Sequence, residues 1–282
     1  MANDLRHIHS YYSPNDLYNK IIKGLEKIGK DLTEVTLDDL QPVDEFHIRG
    51  DNATKELIDL SGFTSDMHIL DVGCGIGGSA RRLSSATGCR VTGIDLSEAY
   101  IDTAQRLTHL LNMQERVTFQ ACSALTLPFE DGFFDGVWSL QMNMNVADKL
   151  AWLKETYRVL KPGGRVVFYE VCGNKNSPLY FPVPWAQEGS MSFLVSPESF
   201  RDFITSAGFE IAVWSDQTAL ARDAFKDVQE PVGEPELPVL GVYLLVGHDI
   251  QTKGYNLRRN LDEDRVSLIQ TVAVKPHLCV CR

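Results

Sequence analysis

The 282-residue chain has little positive charge, and none of it is gathered in runs. Twenty-seven Lys and Arg stand against 38 Asp and Glu, a net charge of −11. The basic residues cluster no further than the pairs Arg81–Arg82 and Arg258–Arg259. A polyanion is therefore not the expected partner, because a nucleic-acid binder shows a basic patch or stripe. No apolar run reaches the length that spans a bilayer, and the opening MANDLRHIHSYY has no apolar signal core. Neither a membrane nor export is expected, and the expected location is the cytoplasm. Cysteine is sparse. Cys74, Cys89, Cys122, Cys172, Cys279 and Cys281 are scattered, mostly in strand-like apolar contexts, which suits a reducing compartment rather than a disulfide framework. Cys279-Val280-Cys281 is too short and isolated to make a metal site, so no metal is expected.

Glycine, by contrast, is concentrated. Met67–Arg82 reads MHILDVGCGIGGSARR: a short apolar run, the acid Asp71, then Gly73, Gly75, Gly77 and Gly78, then a helix-compatible SARRLS. Strand, glycine turn and helix in that order bring backbone and a helix N-terminus close to a ligand. Gly73, Gly75 and Gly78 fit G-x-G-x-x-G, so NAD(P) and FAD enter as ligands. Asp71 turns the choice away from them. A carboxylate beside the turn does nothing for a pyrophosphate but favours a ligand bearing an ammonium and a sulfonium.

Further strands and helices alternate after it. Cys89–Asp95 is a strand ending in an acid 24 residues beyond Asp71, placed to accept both hydroxyls of a ribose. Ser97–Leu111 is a helix capped by Ser97. Val117–Ala121 and Phe133–Leu140 are strands, and Val146–Leu160 is a helix that Lys161-Pro162-Gly163-Gly164 stops. Arg165–Glu170 is a fifth strand. The alternation predicts a parallel sheet with helices on both faces, ligands sitting at the carboxyl ends of the strands. Before this core, Asn15–Ile28 has helical spacing, Thr36 caps a short helix, and Asn52–Ser61 is a helix that Gly62 ends. After it come Val171–Val195, stiffened by Pro178, Pro182 and Pro184, then a helix and a strand through 196–214. Val239–Val246 is expected to be a buried helix, and Leu257–Val274 one or two closing helices.

The D-x-G-x-G run, Leu127-Pro128-Phe129-Glu130-Asp131 and Leu160-Lys161-Pro162-Gly163-Gly164 together resemble class I S-adenosylmethionine-dependent methyltransferases. The leader over 11–50 and the PVPWA insertion look like the group containing sarcosine/dimethylglycine N-methyltransferases. The resemblance implies an α/β, Rossmann-like, doubly wound and mostly parallel sheet with helical N-terminal and C-terminal additions. It divides the chain into a helical cap (1–60), a core (61–215) with a substrate loop at about 171–195, and a helical extension (216–282).

It also implies S-adenosyl-L-methionine as cofactor. Gly73, Gly75 and Gly77 would line its methionine part, Asp71 orient its amino-acid end, Asp95 hold the ribose and Leu96 pack on adenine. Ser123 stands where the family has an acid for the adenine amino group, with Ala124 beside it and Gln141 at the next strand end. The implied reaction is methyl transfer to a small molecule, first an amine such as a methylated glycine. A phenolic or polyketide-like O-acceptor is the alternative, and a non-catalytic binding module a third reading. For an amine carrying a carboxylate, Arg49 is the expected cation with Tyr11 and Tyr12 beside it, and Tyr180 and Trp185 offer aromatic faces. His47 is the candidate base, and Gln141 and Asn143 are the candidate polar groups of the catalytic site. The expected assembly is a monomer or homodimer.

Overall fold

The computed structural model describes residues 12, 16–174, 178–233 and 236–277. Seven strands form one sheet: β1 (His68–Val72), β2 (Arg90–Asp95), β3 (Val117–Ala121), β4 (Phe134–Leu140), β5 (Leu160–Gly173), β6 (Glu210–Asp216) and β7 (Val266–Val274). Their order is β3-β2-β1-β4-β5-β7-β6, with β7 alone antiparallel to its neighbours. The order reverses at β1, whose carboxyl end, with those of β2 and β4, opens the crevice where such sheets take ligands.

Alternation along each strand sends side chains to two cores. Ile69, Val91, Trp138, Val167 and Tyr169 face one way. They meet Leu57 of α3 (Gly50–Ser61), Leu83 of α4 (Gly78–Thr87), Ala104 of α5 (Glu98–Leu110) and Leu257 of the C-terminal helix Ile250–Asp262. Leu70, Val137, Val166 and Phe168 face the other, against Trp152 of α6 (Lys149–Val159) and Phe200 of α7 (Pro197–Ser206). Apolar on both faces, β1 and β4 read as the near-continuous hydrophobic runs of a covered parallel sheet.

A third cluster joins the two ends of the chain. Leu17, Ile21 and Leu25 of α1 (Leu17–Lys27) and Leu40 and Val43 of α2 (Leu37–Asp44) pack with Tyr100, Leu107, Leu240 and Leu245. The helices α1 to α3 precede the sheet. Thr36 closes a capping box on α2 with Asp39, as its position predicts.

Three expectations are corrected. Leu257–Val274 is not helical throughout: the helix ends at Asp262, Asp264 turns with φ 55°, and Val266–Val274 is β7. Five β-branched residues in that stretch, paired on both sides with β5 and β6, decide for strand. The C-terminal addition is thus partly sheet. Lys161-Pro162-Gly163-Gly164 does not lie between a helix and a strand; it is inside β5, which starts at Leu160 opposite Phe134. Val239–Val246 contains a single helical turn, Tyr243–Val246. Among the described residues, no helix is long and apolar enough to cross a membrane.

Candidate active site

The glycine turn after β1 is stitched to β2 by backbone alone. Gly73 and Cys74 both donate their N–H to Ile94 O at 2.9 Å. Gly73, Gly75 and Gly77 all take positive φ. The space around them differs. A Cβ at Gly75 would meet nothing within 4 Å, so that backbone is bare toward a ligand, whereas one at Gly77 would lie 2.4 Å from Phe119. Gly77 caps α4 and packs on β3, and it is not part of the cavity wall.

Asp95 ends β2. Its Oδ2 accepts from Gly75 N at 3.0 Å and its Oδ1 from Ser97 N at 2.9 Å. Asp95 also lines the cavity. Leu96, Cys122, Ser123, Ala124 and Leu125 make a mostly apolar slot beside it. Ser123 Oγ accepts from Leu125 N at 3.2 Å, so the position of the expected acid is held by a local turn. Asp71 lies beneath the floor, 1% exposed, and receives Ser79 Oγ–H at 3.2 Å. Burial pushes its carboxyl up to about 7, against the Ser79 hydrogen bond, and the nearby Asp95 raises it further. Ser79 itself lines the cavity.

The other half of the same cavity is walled by Tyr12, Phe46, His47, Leu140, Gln141, Met142, Met144, Asn145, Val146, Pro184, Trp185, Phe193 and Leu245. Its polar groups are tied to one another. Tyr12 donates its hydroxyl to Asn145 Oδ1 (3.2 Å), and Asn145 Nδ2 donates to Trp185 O (3.1 Å). Trp185 Nε1 donates to Ser192 Oγ at 2.9 Å. Gln141 sits at φ 52° and has its Nε2 buried without a hydrogen-bond partner. His47 makes its hydrogen bonds through Nε2, to Gly50 O (3.1 Å) and Thr54 Oγ1 (3.0 Å). Burial holds its pKa down at about 4, so the ring is neutral at pH 7. Because Gly50 O can only accept, Nε2 carries the proton and Nδ1 the lone pair.

The remaining expected residues lie elsewhere. Arg49 is not on the cavity wall; it forms a two-bond pair with Glu56 at 2.8 and 2.5 Å. Tyr180 is also off the wall, hydrogen-bonded to Glu263 and sandwiched by the guanidiniums of Arg259 and Arg265. Asn143 is fully buried, its N–H bound to Glu170 and its Nδ2 to Val171 O. Tyr11, Cys279 and Cys281 lie outside the described residues. Asn145, which with Gln141 and Asn143 follows the fourth strand in the sequence, is on the wall, whereas Phe46 and Met144 were not singled out. Phe46 stands next to His47, and the N-M-N-V run follows β4, so position relative to a strand end was the available signal.

Residues 70–168 match the family described as Methyltransferase domain. Tocopherol O-methyltransferase of Arabidopsis thaliana is 42% identical over 104 residues, 37% of this chain and 30% of that protein. The chain spans no more than 58% of the length of the first curated relatives it matches. Geranyl diphosphate C-methyltransferase from Streptomyces coelicolor A3(2) superposes with a TM-score of 0.70 at 18% identity, over 96% of this chain and 98% of that one. Phosphoethanolamine N-methyltransferase 2 of Haemonchus contortus, in complex with S-adenosyl-L-methionine, does so with 0.67 at 21%, over 91% and 60%. The fold is that of class I methyltransferases. The described residues fit a sulfonium nucleoside: bare backbone at Gly75, the Asp95 carboxyl on the cavity wall, an apolar slot at Leu96–Leu125, and a buried carboxyl at Asp71 behind Ser79.

Proposed function

We propose that this chain, which carries an S-adenosylmethionine-dependent methyltransferase domain over residues 70–168, methylates a hydroxyl on a small, neutral, mostly apolar acceptor, with His47 as the base. One observation carries this reading. Phe46, Leu140, Met142, Met144, Val146, Pro184, Trp185 and Phe193 wall the acceptor half, and among the described residues no Lys or Arg does. A carboxylated amine such as a methylated glycine would leave its charge unpaired there, which is costly in an apolar site. The one cation expected for it, Arg49, is spent on Glu56. The phenolic acceptor thus replaces the amine as first reading, and kinship with sarcosine/dimethylglycine enzymes is not part of it.

When bound, S-adenosylmethionine supplies a methyl group activated by the sulfonium. The chain's own work is to align and to move one proton. Gly73, Gly75, Asp95 and the Leu96–Leu125 slot fix the nucleoside, and the aromatic and Met wall excludes water around the acceptor. Gln141 offers its unpartnered Nε2–H to an acceptor oxygen. His47 receives the hydroxyl proton at Nδ1, so that the oxygen attacks with its full electron pair.

The test is a turnover screen with labelled cofactor, comparing alkyl-substituted phenols and hydroquinones with glycine, sarcosine and dimethylglycine. Phenol turnover that falls at least about 10²-fold in His47→Gln is the expected result. Turnover of the amino acids alone, or phenol turnover indifferent to His47→Gln, overturns it.

A further inference from the structure

Behind His47 the chain buries a carboxyl that does not reach the cavity. Glu45, between α2 and α3, is 8% exposed. Its Oε2 accepts the Thr54 Oγ1–H at 2.8 Å and lies 3.5 Å from His47 Nε2. Thr54 is fully buried and bridges the two, since its Oγ1 is also 3.0 Å from Nε2. With its one proton given to Glu45, the Thr54 hydroxyl presents only lone pairs to the imidazole. Nε2–H is then held between two acceptors, Thr54 Oγ1 and Gly50 O. Edge-on contact with Tyr169, at 6.2 Å between centroids, fixes the ring plane from the β5 side.

We propose that Glu45 is a positioning residue for His47: through Thr54 it locks the imidazole with its Nδ1 lone pair available to the cavity, and its carboxylate balances the imidazolium formed in turnover. The inference rests on the preceding reading of His47 as base. The acceptor O–H bond breaks and its proton goes to Nδ1. The oxygen's electron pair forms the bond to the methyl carbon, and the C–S pair stays on sulfur. Positive charge thus passes from the sulfonium to a ring 3.5 Å from a carboxylate.

The charges around Glu45 make this a tunable site. From α4, Arg82 Nε stands 3.6 Å from Glu45 Oε1 and 3.4 Å from Asp51 Oδ1, while its NH1 pairs with Asp38 at 2.7 Å. Asp51 is also held by Lys55. Asp44 is tied to Arg81 at 2.7 Å. Burial raises the Glu45 carboxyl to about 7, with Asp44 and Asp51 pushing it up and Thr54 and Arg82 pulling it down. Its ionisation therefore falls within the working range, and turnover is expected to rise with it.

The experiment compares wild type, Glu45→Gln and His47→Gln on two phenols of matched shape. One is an alkyl phenol, protonated at neutral pH, and the other a nitrophenol that arrives largely as phenolate. Glu45→Gln keeps an acceptor for Thr54 and removes the charge. The expected result is a kcat at least about 10-fold lower on the alkyl phenol, no rise in kcat between pH 6 and 8, and near wild-type kcat on the nitrophenol. Cofactor Kd is expected to stay unchanged. Equal kcat of Glu45→Gln and wild type on the alkyl phenol, with His47→Gln impaired, overturns the role of Glu45 alone. Equal losses on both phenols make it merely structural and also overturn it. Indifference to His47→Gln, or no phenol turnover, brings down the base reading and this inference with it. If Glu45→Gln does not fold, Thr54→Val and Thr54→Ser replace it: Val must lose alkyl-phenol turnover and Ser must keep it.

Discussion

At the scale of one residue, Asp71 shows how burial can couple a ligand to a proton. The carboxyl is raised to about 7 chiefly because it is removed from water. An ammonium or sulfonium placed beside it lowers that value again. Protons are therefore released on cofactor binding near neutral pH, and affinity rises as pH increases through about 7. Calorimetry in two buffers of unlike ionisation heat reads the protons directly; equal heats in both would contradict the coupling. Asp71 was legible in the sequence because an acid before a glycine turn has few other uses. Asp95 was legible from its place at a strand end. Arg49 was misjudged because a sequence does not show that Glu56, seven residues on, closes on it with two hydrogen bonds.

At the scale of elements, the acceptor wall depends on the start of α6. Lys149 Nζ, 2% exposed, donates to the carbonyls of Asn143, Val146 and Phe193. Phe193 N returns a bond to Met144 O at 2.8 Å. One ammonium thereby fastens the 189–195 segment to the loop after β4. Lys149→Met keeps the volume and takes the donor from the Val146 and Phe193 carbonyls, while Asn143 O keeps the Val146 N–H, at a cost of about 1–3 kcal/mol. The acceptor KM is expected to rise well before cofactor Kd changes, which thermal melts, KM and equilibrium binding together can check. Strands β1 and β2 were readable because their apolar runs ended in Gly or acid. The mistaken helix at β7 has a physical origin too: Leu257 and Leu261 continue a real helical period up to Asp262, and nothing local marks the change of partner two residues later.

At the scale of the molecule, four buried carboxyls set the pH response, Asp44 among them, raised by burial against the pull of Arg81. Glu45 and Asp71 are raised to about 7 and Glu170 to about 8, each mainly by burial. Their folded forms hold protons that the unfolded chain gives up near pH 4, so each contributes stability that is lost as pH rises toward 7 to 8. His47, lowered to about 4, acts oppositely, but only between pH 4 and 6.5. Lys149, lowered to about 8 by burial, opposes them from near pH 8 upward, so between pH 6.5 and about 7.5 the carboxyls dominate and Tm is expected to fall across that window. Melts showing a flat or rising Tm there would contradict this balance. The doubly wound sheet itself was legible from strand–helix alternation. The enclosure of its crevice was not, since it needs residues near positions 12, 46, 141, 185 and 245 to meet.

The position of β7 bears on how the chain can be made. Although last of the described strands, it lies between β5 and β6 and pairs with β5 over Arg165–Gly173 and with β6 over Glu210–Asp216. Until the ribosome has released residues up to 274, β5 has an open edge and β6 has no sheet to join. Unpaired edges of this kind invite pairing with other chains. Completion of the core thus waits for residues 266–274, and a nascent chain stalled before residue 266 is a species for chaperones.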